Sequence, residues 1–359
     1  MKIAMIAPFD LPVPPPKYGG TESVVYHLTE GLVKRGHDVT LFAAEGSKTS
    51  AKLVSFSPPL GIGNESREAL LPTLVYLNRI FQKAGEFDMI HNHALRLPLF
   101  FASLVKTPTV STLHTPLPTS VESPPPGKYL TMQEFKEMPF VSISDDQRRN
   151  MPNLNFAATV YNGTVDSLRY SLGQGTGGYF AWIGRFSPEK GAHIAIKVAK
   201  KLGIPIKLAA KKDEKLPEYF DQKIAPHIDN KNVIYLGEIG EAEKIELLKG
   251  AIAFLNPIQW QEPFGLVVIE SNVCGTPVVA YNYGSMAELI RDDQNGYISP
   301  YNDLADFIEK TKKIVNMSDA DYQAFRARSR QFFIENYSID KMVEGYIAVY
   351  EKLIKNNNE

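Results

Sequence analysis

Two glutamates eight positions apart, Glu262 and Glu270, stand on either side of Gly265 in AIAFLNPIQWQEPFGLVVIESNVCGTPVVA, residues 251–280. The apolar run 251–255 reads as a buried strand of a parallel sheet. A loop with Pro257, Trp260, Glu262 and Pro263 follows, and Gly265 opens a helix to about residue 272. The amides of Phe264, Gly265 and Leu266 make that helix start an anion site, because the first turn of a helix has no intrahelical acceptors for its N–H groups. Carboxylates repel a phosphate, so their presence there selects a ligand with hydroxyls beside its phosphates, as in a sugar nucleotide. Glu270 tilts back toward the helix start and suits ribose hydroxyls, while Glu262 suits those of a second sugar. The plainer alternative is that both acids merely complement the helix dipole.

Arg185 and Lys190 lie in GRFSPEKG, residues 184–191, between a strand at 179–183 and an amphipathic helix at 192–202. Two cations on a strand-to-helix loop can neutralise a diphosphate and stabilise it as a leaving group; taken alone they read as surface charges. Gly19 and Gly20 close a proline-rich loop between a strand at 2–7 and a helix at 21–35, with Thr21 as the helix cap. A glycine pair there either lets backbone approach a phosphate or simply makes a turn. His114 ends a strand at 107–113, and His91-Asn92-His93 ends one at 87–91. No third ligand lies near the last two histidines in sequence, so no metal is expected. His91 reads as a hydrogen-bonded near-core residue, and His93 as lining a cleft.

Apart from Glu270, which points back along its helix, these groups fall at the carboxyl end of a strand or the start of a helix, where open α/β sheets bind ligands. The elements that position them are two runs of βα units. Residues 171–178, SLGQGTGG, have the composition of a linker between the runs. From about residue 303 the tail is helical.

At 359 residues the chain has room for two domains, and 44% apolar with 22% charged residues is the balance of a soluble globular protein. A net charge of −1 argues against binding nucleic acid through bulk electrostatics. One cysteine, Cys274, excludes an intramolecular disulfide and suits a reducing compartment. MKIAMIAPF is too short an apolar run for a signal peptide, and no stretch has the ~20 apolar residues of a membrane span. The expected location is cytoplasmic, with a peripheral position on the inner face of the membrane left open.

The string EPFGLVVIESNVCGTPVVA, with its E-x7-E spacing, resembles the retaining glycosyltransferases of family 4, which have the GT-B fold. GRFSPEKG is similar to that family's G-R-[LF]-x-P-x-K-G, and NGTVD, residues 162–166, to a segment that ends its first domain. PPPKYGGTE resembles the branch typified by the avilamycin-type glycosyltransferase. The resemblance implies an α/β GT-B architecture of two doubly wound Rossmann-like domains facing across a cleft. Residues 1–168 would be the acceptor-side domain, 169–335 the nucleotide-sugar domain, and 336–359 a helix crossing back to the first. It implies transfer of a sugar from a nucleoside-diphosphate sugar to an acceptor, with retention and without metal or other cofactor. The acceptor class stays open among a sugar, a lipid-linked sugar and a small molecule. In this reading Glu262, His114, Arg185 and Lys190 are catalytic, His114 touching the donor sugar. Gly19, Gly20, Phe264, Gly265, Leu266, Glu270 and, for the base, Ile239 bind the donor. Lys211 stands where the family more often has glycine. Two alternatives remain: a phosphorylase-like GT-B enzyme, for which no pyridoxal lysine site is distinct, and a non-catalytic sugar-nucleotide-binding protein.

Overall fold

The structure, a computed structural model, describes residues 1–16, 19–61, 66–94, 96–123, 127–213 and 216–358. Two compact units divide the chain: Met1–Thr164 with Ile339–Glu359, and Val165–Ser338. In the first unit the elements run β1 (Lys2–Ile6), α1 (Gly20–Lys34), β2 (Asp38–Ala43), β3 (Lys52–Ser55), α2 (Arg67–Phe81) and β4 (Met89–Asn92). They continue with α3 (Leu97–Ala102), β5 (Thr109–Leu113), α4 (Lys128–Glu134), β6 (Phe140–Ser142) and β7 (Phe156–Thr159). The second unit has β8 (Phe180–Phe186), α5 (Ala192–Leu202), β9 (Ile206–Lys212), α6 (Pro217–Lys223), β10 (Val233–Gly237), α7 (Glu241–Gly250) and β11 (Ala253–Asn256). After these come α8 (Leu266–Val273), β12 (Val278–Tyr281), α9 (Met286–Leu289), β13 (Gly296–Ser299), α10 (Leu304–Val315) and α11 (Asp319–Asn336); α12 (Ile339–Asn358) returns to the first unit.

Among the described residues, the sheets have strand orders β3-β2-β1-β4-β5-β6-β7 and β10-β9-β8-β11-β12-β13, and every strand pair is parallel. In each order the chain reverses direction across the sheet, beside β1 and β8, which makes both sheets doubly wound. Both faces are covered, so the central strands are apolar runs rather than alternating ones: Ile3 to Ile6 are all fully buried. Two of the helices carry their own start signals. Ser318 accepts from the Asp321 amide and Asp303 from the Asp306 amide at the starts of α11 and α10. On α1, Gly31 lets α12 come close: a Cβ there would lie 2.5 Å from Val343 Cγ2.

Three local expectations need correction. The loop expected from Gly184 begins later, because β8 stays paired to β9 through Arg185↔Lys211 and Phe186↔Lys212. Fully buried Phe186, stacked on Trp182 at 5.5 Å, anchors that extension. Thr21 does not cap α1; the cap position is Gly19, with no side-chain bond, and Thr21 lies inside the helix. Residues 171–178 are no free linker. The amides of Gly173, Gly175 and Gly177 donate to the carbonyls of Cys274, Lys249 and Gly250 at 2.9–3.0 Å. A Cβ at Gly173 would sit 2.3 Å from Lys249 O, so glycine here permits close packing rather than flexibility.

Candidate active site

Two loops at the carboxyl ends of β8 and β11 are fastened together in the second unit. The Gln259 amide donates to Glu189 O at 2.7 Å, and Gly191, at φ 72°, lies so close to Pro257 that a Cβ would be 2.1 Å from its carbonyl oxygen. The Trp182 indole donates to Lys190 O at 3.2 Å. From the other side, the Ser285 amide bonds Glu262 O at 3.0 Å and the Ser285 hydroxyl bonds Phe264 O at 2.7 Å. Gly284, at φ 62°, permits this, since a Cβ would lie 2.5 Å from Glu262 N and O.

That frame brings Lys190 and Glu262 together. Lys190 Nζ donates to Glu262 Oε2 and lies 4.6 Å from the centroid of the Trp260 ring, and Trp260 Nε1 donates to the same oxygen at 2.9 Å. Glu262 is thus held by a cation and an indole, not left as a loose loop acid. Glu270, on α8, pairs with Lys244 of α7 at 2.5 Å, with only 11% of its side chain exposed. Arg185 pairs with Glu189 at 3.0 Å and Asp213 at 3.2 Å. Phe264 is buried and Gly265 and Leu266 half-buried at the start of α8, where Gly265 (φ 92°) is the left-handed cap and, as a glycine, makes no side-chain cap bond. Ile239 is half-buried in the turn before α7, and the Lys244 amide bonds Gly240 O at 2.9 Å. That turn therefore lies one helical turn from the Lys244–Glu270 pair. Lys211 is exposed on β9.

The remaining candidates lie in the first unit. Gly19 packs on Pro15, whose Cβ would be 2.6 Å from an added Cβ, and Gly20 is the first residue of α1. Lys17 and Tyr18 of the same loop lie outside the described residues. Glu22, buried in the first turn of α1, has its carboxyl raised to about 7 by burial, with Asp10 adding to the rise and its own amide opposing it. His114, half-buried after β5, lines a small pocket with Arg96 and Lys128. Burial, reinforced by Arg96, lowers the Lys128 ammonium to about 8. His93 corrects the sequence reading: it is fully buried, and its Nδ1 meets His114 Nε2 at 2.7 Å. His91 is fully buried and hydrogen-bonded. Among the described residues no group of three or more His, Cys, Asp or Glu is placed to hold a metal.

Sequence reading missed Lys244, Glu189 and Asp213 as partners, and the part of Trp260. Lys244 sits in EAEKIELLKG, which reads as an ordinary solvated helix. Its one available signal was its position four residues after Gly240, at a helix start that follows a strand end.

These two doubly wound parallel sheets, with fixed charges gathered at strand ends, are the α/β architecture of a GT-B glycosyltransferase. Residues 170–351 match the family model "Glycosyl transferases group 1" and residues 18–158 match "Glycosyltransferase Family 4". The chain belongs to the group 1 glycosyltransferases, with an amino-terminal half of the family 4 type. It is similar to the phosphatidyl-myo-inositol mannosyltransferase of Mycobacterium leprae, 27% identical over 328 residues and 85% of each chain. Among solved structures it resembles AviGT4, a glycosyltransferase involved in avilamycin A biosynthesis, at 22% identity and TM-score 0.72, covering 99% of this chain and 98% of that one. It also resembles Anabaena Alr3699/HepE in complex with UDP-glucose, at 16% identity and TM-score 0.73, covering 99% of each. No helix among the described residues is long and apolar enough to cross a membrane.

Proposed function

We propose that this glycosyltransferase moves a sugar from a nucleoside-diphosphate sugar to an acceptor hydroxyl, with retention at the anomeric carbon and without a metal. One observation carries the reading: Glu262, gripped by Lys190 and Trp260, sits three residues before Gly265, the glycine cap of α8. Glu262 then meets donor-sugar hydroxyls, and Glu270, steadied by Lys244, the ribose. Ile239 lies by the base, and Gly19 and Gly20 meet the phosphates. Lys190, Arg185 and the α8 amides take up the charge that develops on the departing diphosphate, the task a metal performs elsewhere. The bond from the anomeric carbon to phosphate breaks, the bond to the acceptor oxygen forms, and the acceptor proton passes to the departing phosphate oxygen on the same face. His114 contacts the donor sugar. The related mannosyltransferase and the UDP-glucose complex of HepE support a hexose donor.

A thermal-shift panel of UDP-, GDP- and ADP-hexoses in EDTA tests this. At 100 times its Kd a true donor adds roughly 2.7 kcal/mol of apparent stability, and its transfer product carries the donor's own anomeric configuration. A panel without any shift, an inverted product, or binding abolished by EDTA would contradict the reading.

A further inference from the structure

The pocket beside β5 gathers two cations and no acid. Arg96 immediately precedes α3 and Lys128 opens α4, and both line the pocket with His114 and Thr115. One core pins the two helices. Leu99 of α3 and Met132 of α4 are buried in the same cluster, and Phe100 meets Phe135 at 4.8 Å between ring centroids. The strand-end loop that lines the pocket is held as firmly. Buried Gln147 donates from Nε2 to Leu113 O at 2.8 Å and to Thr115 O at 3.0 Å, and Asn150 Nδ2 donates to Leu117 O at 2.9 Å. Lys128 Nζ gives two of its three protons to this loop, one to Thr115 Oγ1 at 2.9 Å and one to Pro116 O.

Two half-buried cations on a fixed frame repel each other, and burial adds to the cost of each charge. Lys128 shows both effects, its ammonium lowered to about 8 by burial and by Arg96. Among the described residues no carboxylate pairs with either cation. His114 adds no charge, because burial lowers its imidazole to about 3. In the second unit, by contrast, Arg185 and Lys190 each face an acid. The pocket thus has a built excess of positive charge that an anion would relieve.

We propose that this pocket binds a phosphate group carried by the acceptor, with Arg96 and Lys128 as its charged donors and the Thr115 hydroxyl as a third. A carboxylate has two oxygens in one plane, which a single guanidinium fork satisfies. Two cations from separate helices, with a hydroxyl besides, suit a group that presents oxygens on several sides. Thr115 accepts from Lys128 and keeps its own hydrogen to give, and Lys128 keeps its third proton. That the phosphate belongs to the acceptor rests on the proposed transfer and on His114 meeting the donor sugar; that the pocket takes a phosphate does not.

Calorimetric titration of the full chain, without donor, tests the pocket with glucose 6-phosphate, glucose and glucuronate. Glucose 6-phosphate is expected to bind at least about tenfold more tightly than the other two. Arg96→Gln and Lys128→Gln should each weaken it by about tenfold or more, since each removes a charge-assisted bond. Both should leave nucleoside diphosphate affinity unchanged, and Arg96→Gln should melt no lower than wild type in phosphate-free buffer, because it removes a repulsion. Vesicles of phosphatidylglycerol, against phosphatidylcholine, present the same chemistry as a lipid headgroup. Binding from either source that falls in Arg96→Gln supports the pocket. Wild-type protein that binds neither glucose 6-phosphate nor phosphatidylglycerol overturns the proposal, whether or not the variants fold. So does equal affinity for glucuronate, or an equal loss of nucleoside diphosphate affinity in the variants, which would give both cations to the donor. A protein that binds the phosphate ester yet transfers no sugar from any donor would overturn the acceptor role alone, and the phosphate pocket would stand.

Discussion

Lys190→Ala is expected to lower donor affinity and turnover together by at least tenfold. A charge-assisted hydrogen bond is worth about 1.5–3 kcal/mol, and about 1.4 kcal/mol is a factor of ten. Lys190 is mostly buried, faces the Trp260 ring and pairs with Glu262, so its charge acts where water screens it little. Removing it deprives the departing diphosphate of a cation and leaves Glu262 with the indole alone. Arg185→Ala should cost less, because that side chain is 46% exposed and already shared between Glu189 and Asp213. Steady-state kinetics with saturating acceptor checks both, and an unchanged kcat/KM in Lys190→Ala would remove this loop from the donor site.

The largest loss of stability is expected from Arg326→Met. The Arg326 guanidinium is fully buried and donates to the carbonyls of Gly173, Lys249, Ala251 and Cys274 at 3.0–3.1 Å. It also reaches the hydroxyls of Tyr322 and Thr276, at 3.0 and 3.2 Å. Methionine fills much of the volume but donates to none of these acceptors; Cys274 O and Lys249 O keep the Gly173 and Gly175 amides, yet four carbonyls lose a charge-assisted bond together, a loss of about 3–5 kcal/mol. For a unit of this size that lowers the melting temperature by about 6 °C or more. Arg326→Lys should recover only part, since an ammonium cannot fork to so many acceptors. A loss below about 1 kcal/mol in the methionine variant would show that the carbonyls find other donors.

What was legible in the sequence followed local rules. The apolar run before Asn256 and the Val278-Val279-Ala280 run became neighbouring parallel strands, paired as Phe254↔Val278 and Leu255↔Val279. Gly265 became the cap of α8, and the 192–202 helix matched α5 residue for residue, because period and punctuation are written within a dozen residues. Residues between β2 and β4 gave no such signal: β3 is a short, largely exposed edge strand, and α2 carries Pro72 in its interior. Partnerships were harder still. Lys244 finds Glu270 26 positions away, and Thr112 finds Tyr346 across 234. Nothing in either local string specifies such a pair. Residues 171–178 misled for the opposite reason. Glycine marks both flexible chain and close approach, and only the facing carbonyls of Cys274, Lys249 and Gly250 tell them apart.

The central claim, a donor site in which Glu270 serves the nucleotide and Glu262 the sugar, is tested most directly by calorimetric titration of Glu262→Ala and Glu270→Ala. Each variant is titrated with the nucleoside diphosphate alone and with the intact donor. Glu270→Ala should weaken both ligands alike by about 1.5–3 kcal/mol, since each carries the ribose. Glu262→Ala should weaken only the intact donor. It frees Lys190 from its carboxylate, so nucleoside diphosphate affinity should hold or rise. Equal losses of nucleoside diphosphate affinity in the two variants would contradict this division and make the glutamates a structural pair.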